Sequence, residues 1–159
     1  MAGPDDDSTT ALVDGCYSCG LESDADLAPS ERVLVTDHWR VAHAFNTSLP
    51  GWLVAVPRRH QLSLAEVGPE AAAELGPLLT DLTRALQQVT GCLKTYVILL
   101  AEAEGYAHLH FHVVPRMPDQ PADERGPRIF ARLDVPEDEQ VGQPERDRLA
   151  REIREALDR

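Results

Sequence analysis

Three histidines alternate with apolar residues in His108-Leu109-His110-Phe111-His112, and Val113 and Val114 follow directly. In an extended strand successive side chains point to opposite faces. The run therefore commits one face of a sheet to imidazoles and the other, with Leu109, Phe111 and Val113, to a core. Three adjacent imidazoles are expensive to hide unless a ligand or substrate satisfies them. Histidine also changes charge near neutral pH, which suits it to act as nucleophile, acid, base or metal ligand. Function is expected on this strand.

A chain of 159 residues is long enough for one domain with an ordinary core. Its net charge of −12 argues against a nucleic-acid partner, which needs a basic stripe to replace counterions. A small phosphorylated ligand is still permitted, because a local cluster of donors can hold a phosphate against an unfavourable overall field. No apolar run approaches the roughly 20 residues of a membrane span. The acidic start, Met1 to Asp7, is unlike a secretory signal. The chain is thus read as cytoplasmic, without a membrane or nucleic-acid partner.

Residues 1–11 read as a disordered acidic tail, 12–117 as the folded domain, and 118–159 as a proline- and charge-rich extension ending in a helix. Strands are expected at Val33–Thr36, Trp39–Phe45 and Trp52–Val56, with a turn at Asp37-His38. Ser63-Leu64-Ala65-Glu66 fits a capping box. A long helix opens at Pro69-Glu70 and stops at Gly91, with Ala72, Leu75, Leu79, Leu82, Leu86 and Val89 at helical spacing. Pro77 should kink it or mark a restart. Thr95–Leu100 reads as a buried strand. Residues 145–158 form a charged helix whose narrow stripe, Leu149, Ile153 and Leu157, docks on the domain or on a second subunit. This order implies an α+β fold with a mainly antiparallel sheet and one long helix.

The alternating histidines alone leave several readings open: a metal site, a nucleophile flanked by two helpers, or half-exposed surface residues. The pair Cys16-x-x-Cys19 reads as either a metal knuckle or a redox pair, and a redox pair lacks a βαβ context and leaves His60 unexplained. The remaining motifs are Val-Pro-Arg-Arg-His, ending at His60, and His-Val-Val-Pro-Arg, ending at Arg116. Together with the triad, His108 through Val114, and the cysteine pair, they resemble the histidine triad (HIT) superfamily over roughly residues 14–117, in its zinc-bearing bacterial branch.

That resemblance implies a five-stranded antiparallel sheet with one long helix, to which this chain adds a C-terminal helix. It implies that His110 attacks the α-phosphorus of a nucleotide to give a covalent nucleotidyl-histidine, and that His112 holds phosphate oxygens. It further implies a structural zinc on Cys16, Cys19, His60 and His108. The substrate implied is a dinucleoside polyphosphate or nucleoside phosphoramidate. Trp39, Phe45, Asn46, Tyr106 and Arg116 are the implied substrate contacts, and a homodimer is expected. Two departures stand out. Ala101 to Ala107 holds two glutamates but no Gln, Ser or Thr, where relatives have a phosphate-contacting loop, so Tyr106 is left as a substitute donor. Trp52 stands where many relatives carry a histidine; its large ring either lines the nucleotide site or packs, and packing is favoured. The rivals are a nucleotide-binding or regulatory protein with little catalysis, and a hydrolase with metal on His108, His110 and His112.

Overall fold

The computed structural model describes residues 12–159, so the expected acidic tail lies outside the described residues. Five strands form one antiparallel sheet in the order β1-β2-β3-β5-β4. They are β1 (Leu34–Val35), β2 (Trp39–His43), β3 (Leu53–Pro57), β4 (Lys94–Leu99) and β5 (Phe111–Arg116). The described residues also form three α-helices: α1 (Tyr17–Glu22), α2 (Pro69–Thr90) and α3 (Gln143–Leu157). The expected α+β architecture is present. No helix among the described residues is long and apolar enough to cross a membrane.

The two faces of the sheet follow from strand alternation. Register pairs Val41 with Ala55, Ala55 with Phe111 and Leu53 with Val113. These residues pack with Trp39 against Leu78, Leu82, Ala85 and Leu86 of α2. The intervening residues pair Arg40 with Val56, Ala42 with Val54 and Val54 with His112 on the opposite face. Helix α2 thus covers one face and leaves the histidine-bearing face for other use.

Several local expectations change. His108, Leu109 and His110 precede β5, so only His112 of the three histidines lies within the strand. Helix α2 runs through Pro77 without a restart. Pro77 is exposed, where water can satisfy the carbonyl it leaves without a donor, while Leu75 and Leu78 anchor the helix on both sides. Ala72 is exposed, and Leu78 and Ala85 take buried places instead. Ser63 makes no side-chain cap; its hydroxyl donates to Glu66 Oε1, and Glu66 accepts the Leu62 N–H. The segment is too short a turn, Leu64–Glu66, for the reciprocal box. Strand β4 is an edge strand and only half-buried, not enclosed, because β5 alone flanks it.

The extension wraps the domain. Its short 3-10 turns bury Ile129 against Trp52 and Val114, and Phe130 packs on the same cluster. Thr47 Oγ1 and Ser48 N–H both donate to the Arg132 carbonyl, fastening the extension to the β2–β3 loop. The stripe of α3 docks on its own chain: Leu149, Ala150 and Ile153 join the α2 core. Asp147 accepts the Ser30 N–H and Arg154 donates to the Val33 carbonyl, which fixes the helix beside β1.

Candidate active site and metal centre

Cys16 caps α1, its sulfur accepting the Cys19 N–H, so both thiols face the same side of a tight knuckle. His60 follows the end of β3, and His108 precedes β5. The four ligand atoms lie within 4.8 Å of one another. The Cys16 and Cys19 sulfurs are 3.4 and 3.7 Å from His108 Nδ1, and Cys19 is 3.3 Å from His60 Nδ1. Tetrahedral zinc, with bonds of about 2.3 Å to sulfur and 2.0–2.1 Å to nitrogen, sets sulfur–nitrogen edges near 3.5 Å. The donor set fits such an ion. His108 also donates from Nε2 to the Pro57 carbonyl at 2.7 Å, which leaves the Nδ1 lone pair aimed at the cysteines. His108 and Cys19 are each 1% exposed, whereas Cys16 and His60 are half-buried.

Next to this centre a cleft of about 440 Å³ opens over the second face of the sheet. A volume of this order suits a small-molecule ligand. Phe45, Asn46, Tyr106, His110 and His112 all line it. His110 Nδ1 lies 2.8 Å from the His108 carbonyl, and a carbonyl has no proton to give. The ring must therefore donate there, and its Nε2 keeps the lone pair. The His110 and His112 rings are 4.8 Å apart at 78°. Burial, with a smaller contribution from His110, pushes His112 down to about 4. His112 is thus neutral at pH 7.

Two expected contacts lie elsewhere. Trp39 belongs to the α2 side of β2, fully buried, with its Nε1–H donating to the Ala71 carbonyl. Its neighbour Arg40 points the other way, as alternation requires. Arg116 pairs with Lys94 and donates to the Met117 carbonyl. It is four residues beyond His112, roughly 13 Å along the strand. Neither lines the cleft among the described residues.

Sequence reasoning missed other lining residues. Arg40, 3% exposed, donates to Glu22 Oε1 at 2.9 Å and to the Glu31 carbonyl at 2.8 Å. Burial raises the Glu31 carboxyl, opposed by Arg40. Tyr17 stacks at 5.3 Å from both Phe45 and Tyr106, and burial, then Glu31, pushes its hydroxyl up to about 12. The extension contributes Phe130, Leu133 and Asp134. Asn46 Nδ2 donates to Asp134 Oδ1, and the Asn46 carbonyl accepts the Val135 N–H. Two signals were present in the sequence. Arg40 sits among apolar strand residues, and Phe130 is the only aromatic residue after the triad.

Trp52 does pack, fully buried, yet it also reaches the site: its Nε1–H donates to His112 Nδ1 at 3.0 Å. Gly51 sets its placement with φ +90, a region glycine adopts freely. A Cβ there would sit 3.1 Å from Thr90 Cγ2.

A family model described as the HIT domain matches residues 26–119, more than half of the chain. None of the curated proteins matches it. Among solved structures, one similar fold is a zinc-bound histidine triad family protein from Mycobacterium smegmatis. It has 19% identity and a TM-score of 0.63, over 90% of this chain and 93% of that one. A Hit-like protein involved in cell-cycle regulation from Bartonella henselae has 19% identity and a TM-score of 0.66, over 87% and 93%. A hypothetical histidine triad nucleotide-binding protein from Sulfolobus tokodaii has 14% identity and a TM-score of 0.67, over 90% and 92%. At these identities the likeness is one of fold.

Proposed function

The chain belongs to the HIT-domain family, and from that premise we propose that its cleft binds a nucleoside phosphate and transfers the nucleotidyl group through His110. The observation that carries this reading is the pairing of His110 Nδ1 with the His108 carbonyl. It leaves Nε2 as a lone pair beside a neutral imidazole, His112, in a cleft of nucleotide size. Attack of Nε2 on the α-phosphorus forms a P–N bond and breaks the bond to the leaving group, which departs with its electron pair and takes a proton from solvent. The positive charge left on the His110 ring is stabilised by the same carbonyl. Water then displaces His110 and releases the nucleoside monophosphate. His112 holds a phosphate oxygen. Phe45, Tyr106 and Tyr17 offer flat apolar surface to a base, and Asn46 with Asp134 offers an acceptor pair to ribose hydroxyls. The Cys16–Cys19–His60–His108 cluster is read as a structural zinc site, pinning the N-terminal knuckle to the catalytic segment.

The protein is further read as a cytoplasmic homodimer. Because α3 spends its stripe within the chain, the second copy is placed on edge strand β4 and its ends, where Leu93, Val97 and Leu100 are exposed. Light scattering of wild type and Val97→Lys decides this: wild type should run as a dimer and the variant as a monomer.

A second reading, nucleotide binding with little turnover, is favoured by the segment 101–107. Glu102 and Glu104 line the cleft there, and the segment itself holds no Gln, Ser or Thr to assist a leaving group. Rapid-quench incubation with nucleoside phosphoramidates and dinucleoside polyphosphates, read by intact mass, separates the two. The transfer reading expects a nucleotide adduct on wild type and none on His110→Asn. Tight binding with neither adduct nor turnover would establish the second reading instead.

A further inference from the structure

Trp52 packs, as its size favours, and its contact with His112 also gives it a chemical role. The indole N–H is a donor with no acceptor capacity. At 3.0 Å from His112 Nδ1, with Trp52 fully buried and His112 7% exposed, it requires that Nδ1 carry the lone pair. The proton of the neutral ring then sits on Nε2. A second proton on Nδ1 would set N–H against N–H inside the protein. Flipping the ring would put carbon opposite the indole and leave a buried donor without an acceptor, which is costly. The ring is also enclosed edge-on, by Trp52 at 5.7 Å and 89° and by Phe130 at 5.1 Å and 88°.

We propose that Trp52 is a positioning residue for the transfer reaction: its Nε1–H locks His112 in one tautomer, as a neutral Nε2–H donor to the phosphate. The lock rests on the nucleotidyl-transfer reading for its purpose, but its geometry stands on the protein alone. It complements the neighbouring ring. The His108 carbonyl makes His110 a donor at Nδ1 and an acceptor at Nε2, whereas Trp52 makes His112 an acceptor at Nδ1 and a donor at Nε2. Two adjacent imidazoles are thereby set in opposite tautomers, one offering a lone pair to phosphorus and the other a proton to oxygen. Without Trp52, His112 is free to place its proton on Nδ1 and point a lone pair at the phosphate, which repels it.

The test reads the tautomer directly. Two-bond proton–nitrogen correlation spectra of the histidine-labelled full chain should show His112 with a protonated Nε2 and a bare Nδ1. The signal is assigned by its loss in His112→Gln. Trp52 is then changed to Phe, and separately to benzothienylalanine, which keeps the bicyclic shape and removes only the N–H. Both proteins should show mixed tautomers at His112, with kcat reduced roughly 10–100-fold, the usual range for outer-shell partners, and KM little changed. Trp39→Phe serves as the control for a tryptophan lost from the core, and should leave the His112 spectrum as it is. A wild-type His112 with its proton on Nδ1 overturns the proposal. So does a benzothienylalanine protein with unaltered tautomer and kcat. A locked wild-type tautomer without any turnover supports the lock and sinks the transfer chemistry alone, so the two failures are distinguishable.

Discussion

The Nδ1 of His110 lies 2.8 Å from the carbonyl oxygen of His108, whose own ring offers Nδ1 to Cys16 and Cys19. One residue therefore joins the two centres: its side chain belongs to the metal cluster and its main chain orients the proposed nucleophile. Under the proposed function, metal occupancy and catalytic geometry are coupled through a single peptide unit.

That coupling predicts that stripping the ion lowers both stability and rate. Closed Cys2His2 sites contribute directly to folding free energy. Chelation followed by gel filtration should lower Tm by roughly 10 °C or more, given that 1 kcal/mol moves Tm by about 2–4 °C at this size. The rate should fall through kcat rather than KM, and zinc should restore both. Cys19→Ser should behave as the stripped protein does. Unchanged Tm and kcat in protein shown by metal analysis to be empty would refute the coupling.

Acid should destabilise the fold through His43. Its Nδ1–H donates to the Ala44 carbonyl and its Nε2 accepts the Gly51 N–H, so both ring nitrogens are committed to the neutral form. Burial pushes it down to about 4, with Arg146 lowering it further and the Ala44 carbonyl and Glu145 opposing. The unfolded histidine, near 6.5, binds a proton that the folded one refuses. Stability from this group is complete above pH 6.5, is lost as pH falls through the window from 6.5 to 4, and levels off below. The whole loss is on the order of 3 kcal/mol. Urea unfolding at pH 7.5 and 4.5 should show wild type losing stability, and His43→Gln losing distinctly less. Equal losses in the two proteins would exclude His43 as the acid-sensitive group.

The helix-covered half of the fold was legible because periodicity is written residue by residue. Leu82 and Leu86 on α2, and Val41, Phe111 and Val113 on the sheet, each occupy the face their spacing assigns. The metal set was legible for a different reason, since Cys16, Cys19, His60 and His108 are few, distinctive and held in recognisable motifs. Trp39 and Arg116 were misplaced because proximity in sequence does not fix which face, or which end, of a strand a side chain occupies. Asp134 and Phe130 were illegible as site residues, because the extension has no period and its path depends on tertiary contacts such as that of Thr47 with Arg132. Trp52 was half-read. Its burial follows from its size, whereas the partner of its N–H depends on a register that only the folded sheet supplies.

Helix α3 should stabilise without taking part in the reaction. Ile153 is fully buried in the cluster that joins α3 to α2, on the side of the sheet opposite the histidines. Ile153→Ala should cost about 2–5 kcal/mol, the usual range for a truncated core side chain. Urea midpoints should drop accordingly. Activity below the transition, and the oligomeric state by light scattering, should match wild type. A variant that dissociates without losing monomer stability would instead make α3 an intersubunit element.

The extension should act on substrate affinity through Asp134. This residue adopts φ +55, uncommon for a residue other than glycine, and Asn46 Nδ2 donates to its carboxylate at the cleft wall. If the pair receives ribose hydroxyls, its contribution is made equally in the ground state and the transition state. Asp134→Ala should then raise KM by about 10–100-fold, the range of a hydrogen bond to a charged group, while kcat stays near wild type. Asn46→Ala should act in the same direction. Because the two residues share one hydrogen bond, the double variant should lose less than the product of the single effects. The decisive comparison uses a 2′,3′-dideoxynucleoside substrate, on which wild type and Asp134→Ala should differ little. An Asp134→Ala protein that loses as much on the dideoxy substrate as on the ribose one would show that Asp134 shapes the wall rather than recognising the diol.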